Sequence, residues 1–79
     1  MDECLEELLH IFPTTPLDYE GHKKFDAQYR EDIRRIGERL NKLGGMRAMQ
    51  QVGEAFARKN PLHARKLETT WDGIGMWMG

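Results

Sequence analysis

Three histidines, one cysteine and thirteen carboxylates are the side chains of this 79-residue sequence that could ligate a metal or move a proton. Their closest approach to a ligand spacing is Glu7-Leu8-Leu9-His10, an E-x-x-H of the kind that helical di-iron proteins point into a bundle. On a helix, Glu7 and His10 project opposite to Leu5, Leu8, Leu9 and Phe12 and so face solvent. The long segment that follows offers only Asp26 and Asp32 as further carboxylates near its apolar seam. Cys4 has no basic neighbour in sequence to stabilise a thiolate, and a single cysteine makes neither an intrachain disulfide nor a C-x-x-C clip. His22 and His63 fall on apolar stripes, where a histidine reads as a packed structural side chain. Serine is absent, and so are G-x-x-x-x-G-K-[ST], G-x-G-x-x-G and H-E-x-x-H. No catalytic residue, cofactor or metal is therefore expected, and the chain is not expected to be an enzyme.

Charge is the remaining chemical signal, and it is unevenly placed. Residues 1–20 carry six acids and no base, whereas residues 21–66 carry all twelve Lys and Arg against five acids. An acidic beginning and a basic middle can steer an acidic partner, or attract each other within one chain or between two copies. Arg47, Arg58, Lys59, Arg65 and Lys66 could lie along phosphates, the last four bracketing the Asn60-Pro61 turn, which makes a nucleic-acid-binding helical module the alternative reading. Against it, Glu68 and Asp72 sit on the helix that would meet the bases, and the net charge is −1.

The elements that must position these residues read as helices. Eight leucines, five alanines and five methionines stand against one valine and four isoleucines. Helices are expected over about 2–12, 16–43, 45–59 and 61–78. The first places Leu5, Leu8, Leu9 and Phe12 on one arc. The second, opened by Thr15-Pro16 and stopped by Gly44-Gly45, carries Phe25, Tyr29, Ile33, Ile36, Leu40 and Leu43 on a narrow seam, with acid-to-base i,i+4 pairs at 20/24, 26/30, 31/35 and 38/42. The third aligns Met46, Met49, Val52 and Phe56. The fourth, opened by Asn60-Pro61, aligns Ala64, Leu67, Trp71, Ile74 and Met78. The fold class is all-α. The expected architecture is one domain over residues 1–79, a small three- to four-helix bundle with a C-terminal antiparallel hairpin packed on one long helix.

An unbroken helix from Asp18 to Leu43 would be roughly 39 Å long at 1.5 Å per residue, longer than the roughly 30 Å diameter of a compact chain of this size. Either Gly37 breaks it, or it overhangs and a second copy covers the excess through Phe25, Tyr29, Ile33, Ile36 and Leu40. Met76 and Trp77 fall off the apolar stripe of the last helix and are the candidate partner-facing residues. The acidic start is unlike a secretory signal, no lipidation motif is visible and no uncharged run is long enough to span a membrane, so cytoplasmic residence is expected. Together these features point to a non-catalytic helical protein–protein interaction module that self-associates, with a homodimer and an unidentified protein as its partners.

Overall fold

A computed structural model describes residues 2–77, which form three α-helices and one turn of 3-10 helix, with no strand among them. The chain is all-α. Helix α1 (Asp2–Ile11) buries Cys4 and Leu8, and Phe12 follows at its end. Pro13 then diverts the chain, because a proline has no N–H to continue the ladder.

Helix α2 (Tyr19–Lys59) begins three residues later than expected. Asp18, rather than Thr15, caps it: its carboxylate accepts the Gly21 N–H at 2.7 Å. The helix continues through Gly37 and breaks at one residue, Gly45, with φ 66 and ψ −154. A side chain at that backbone geometry is strained, so glycine is what lets the chain turn there. Two arms result, 19–44 and 46–59, close to the two helices expected from the Gly44-Gly45 pair.

The 3-10 turn Pro61–His63 leads into α3 (Ala64–Thr70), which is much shorter than the expected helix over 61–78. Beyond Thr70 the chain winds into tight turns, with Gly73 and Gly75 both at positive φ and Gly73 N–H donating to the Trp77 carbonyl at 3.0 Å. Met78, the expected last member of the stripe, lies outside the described residues. Asn60 also serves differently from expectation. Its backbone N–H caps the end of α2 on the Phe56 carbonyl (2.7 Å), and its side chain donates to the Pro13 carbonyl (3.0 Å) instead of capping the next helix.

Two aromatic side chains fill the space between the arms. Phe12 packs on Phe25 of the first arm (ring centroids 5.0 Å apart) and on Phe56 of the second (4.8 Å). Trp71 is fully buried against Gly37 of the first arm and Gly53 of the second, and its indole N–H donates to the Ile33 carbonyl at 2.9 Å. Arg34 pins the same region, its guanidinium donating to the Thr70 and Asp72 carbonyls at 2.8 Å each. The linker between α1 and α2 is clasped from the far end of the sequence. Besides the Asn60 bond to Pro13, the buried His63 donates from Nε2 to the Thr15 carbonyl at 2.9 Å. The radius of gyration is 11.7 Å and the longest dimension 34 Å. The expected overhang is absent, because α2 bends and the other elements lie along its first arm.

Candidate functional site

The structure uses the expected self-association seam inside one copy. Phe25, Ile33, Ile36 and Leu40 are buried in the core, and Tyr29 is half-buried beside Phe25 at 5.2 Å. Sequence periodicity correctly grouped them on one face. It assigned that face to a second chain because it left out what Trp71, Phe12 and the second arm cover. The surface left for contact lies elsewhere.

One such surface surrounds the C-terminal turn. Met76 is 79% exposed, the largest value among the exposed large apolar side chains. Trp77 is half-buried: its ring stands edge-on to Trp71 at 5.2 Å, its Cη2 approaches Gly53, and its indole N–H donates to the Glu68 carbonyl at 2.8 Å. Two shallow hollows of about 220 and 240 Å³ share Trp77, Gln50 and Glu68, and Met46 lines one of them. The two residues singled out from sequence thus have different parts. Trp77 is anchored by its polar edge, while Met76, carried on the same turn, projects into water.

The basic residues do not form one patch. Arg58, Lys59 and Arg65 are exposed around Asn60. Lys66 is largely covered and tied to Asp26 at 2.8 Å, a cross-element pair that takes Asp26 from the expected partner Arg30. Arg47 lies eleven residues before Arg58 on the second arm, roughly 16 Å away along the axis. Arg35 likewise bonds Asp32 at 3.4 Å rather than Glu31.

A third surface was not singled out from sequence. Between α1 and the first arm of α2 runs an open groove of about 710 Å³. Glu3, Glu6, Glu7 and His10 form the α1 wall, Asp32, Arg35 and Arg39 the α2 wall, and Ile11 and Ile36 lie between them. Glu3 reaches Arg39 across it at 3.9 Å, while Phe12 meets Phe25 at the other end, so the two helices run antiparallel. The sequence signal was available in the spacing of these charges, but both sets read as ordinary solvated faces. Glu7 and His10 do face outward, as expected, and no group of three or more metal-binding side chains occurs among the described residues. The imidazole Nδ1 of His22 is buried without a hydrogen-bond partner, near His63 (ring centroids 6.5 Å apart).

No helix among the described residues is long and apolar enough to cross a membrane. Comparison of the chain with protein-family models, with curated proteins and with solved structures gives no match in any of the three.

Proposed function

We propose that this protein is a small non-catalytic helical interaction module whose C-terminal turn takes a protein partner through Met76 and the exposed edge of Trp77. The observation that carries this reading is the exposure of Met76 on a turn that is itself fixed. The turn is closed by the Gly73–Trp77 backbone bond and held to α3 by the Trp77 indole, so the thioether is presented to water rather than loosely tethered. A methionine adapts its shape to an apolar partner surface, and the adjoining hollows beside Trp77 and Met46 offer room for a partner's side chains.

A photoreactive residue placed at position 76 tests the reading in the cells that make the protein. A discrete adduct is expected from position 76 and not from Gln51, an exposed position on the second arm. Met76→Asp is expected to remove the complex while changing folding stability by no more than about 0.5 kcal/mol, as is usual for an exposed site. Equal adducts from both positions, or none from position 76, would overturn it.

The nucleic-acid alternative retains one supporting observation, the exposure of Arg58, Lys59 and Arg65 around one turn. Binding to random duplex that weakens steeply with added salt would favour it, and no binding at low salt would remove it.

A further inference from the structure

The α1–α2 groove carries the same spacing of charges on both walls. Along α1 the row is Glu3, Glu7, His10, and along the first arm of α2, running the opposite way, it is Arg39, Arg35, Asp32. Each row steps by four residues and then by three, so each keeps to one helix face. The two rows therefore stay level along the groove: the Glu3–Arg39 pair marks one end, and equal steps from it put Arg35 level with Glu7 and Asp32 level with His10. At the first two levels the walls differ in sign, glutamate facing arginine.

From this we infer that the groove is the docking site for a second copy of this chain, related by a two-fold axis parallel to the groove. The inference adds a self-association surface to the interaction module proposed above and deepens that reading. Such an axis lays α1 of one copy over the α2 arm of the other. Each glutamate of the α1 row then meets an arginine across the interface, with every pair repeated by symmetry. The other two-fold axis that brings the grooves face to face, perpendicular to them, reverses the levels and would set Glu7 on Glu7 and Arg35 on Arg35 at the middle. Charge complementarity thus selects both the occupant and the orientation. Half-buried Ile11 supplies apolar contact at the centre. A ten-residue α1 is only about 15 Å long, which places the contact among small, weak interfaces.

Sedimentation velocity over a concentration series is the test. The unaltered protein should dimerise at low salt, with at least about tenfold weaker association in 1 M salt. The double variants Glu3→Lys/Glu7→Lys and Arg35→Glu/Arg39→Glu should each lose the homodimer, since each makes both walls alike in sign. An equimolar mixture of the two should restore a heterodimer, because both contacts across the interface, α1 of each chain on the α2 arm of the other, are again opposite in sign. Should either reversed variant lose its helical circular dichroism, Glu3→Gln/Glu7→Gln and Arg35→Gln/Arg39→Gln replace them, each expected to weaken dimerisation by about three- to tenfold. A protein that stays monomeric at low salt, folded variants that still dimerise, or a mixture that fails to pair would overturn the proposal. So would a dimer abolished by Met76→Asp and untouched by the charge variants, which would seat the second copy on the C-terminal turn. Cross-linking from position 76 reads the partner surface independently, so either proposal can fail without the other.

Discussion

Trp71 is the side chain on which most of the packing converges, and the residue beneath it decides whether it fits. A Cβ at position 37 would stand 2.6 Å from Nε1, 2.7 Å from Cδ1 and 3.0 Å from Cε2 of the indole. That ring is fully buried and its N–H is committed to the Ile33 carbonyl, so it has nowhere to retreat. Gly37→Ala is therefore expected to destabilise the fold by about 1–3 kcal/mol in urea unfolding, the usual range for overpacking, despite alanine's better helix propensity. A Cβ at Gly53, on the other arm, would meet Cη2 of Trp77 at 3.4 Å and Cζ3 of Trp71 at 3.7 Å, which is ordinary contact. Gly53→Ala should accordingly stabilise by about 0.5–1 kcal/mol. Opposite signs for one chemical change on the two arms would locate the tight side of the indole; equal signs would show that the ring is free to shift.

At the scale of elements, the decisive residue is Gly45. Nothing lies within 4 Å of where its Cβ would be, so Gly45→Ala isolates the backbone contribution. A loss of about 1–3 kcal/mol is expected, measured by thermal or urea melts, and an unchanged midpoint would mean that the bend does not need a left-handed residue. Much of the element order was legible in sequence. Periodicity located α1 and both arms, and the Gly44-Gly45 pair marked the bend within one residue. Pro13 and Pro61 also punctuate the chain where they were expected to. Two features were not legible. The start of α2 depends on which of Thr15 and Asp18 reaches a free N–H, and that choice rests on the clasp of the preceding linker by Asn60 and His63, more than forty residues away. The end of α3 depends on Trp71 being drawn between the arms, after which the glycines that follow are free to turn back instead of extending a helix. The candidate surfaces divide in the same way. Met76 was recoverable because it falls off a stripe, whereas the groove requires knowing that α1 and the first arm lie side by side.

The whole molecule shares one apolar core, and a few side chains in and around it bridge the elements. Phe12 joins α1 to both arms, Trp71 joins the turn after α3 to both arms, and Asn60 and His63 join the end of α2 and the 3-10 turn to the first linker. Unfolding is expected to be a single transition, with tryptophan fluorescence and far-ultraviolet circular dichroism giving coincident urea curves. Separate midpoints would show that α1 leaves before the rest. The placement of Trp71 also bears on truncation. Both arms of α2 are complete by residue 59, yet the indole that separates them is twelve positions further on. A chain cut before residue 71 would keep the sequence of both arms but leave them an unfilled cleft flanked by Ile33, Gly37 and Gly53.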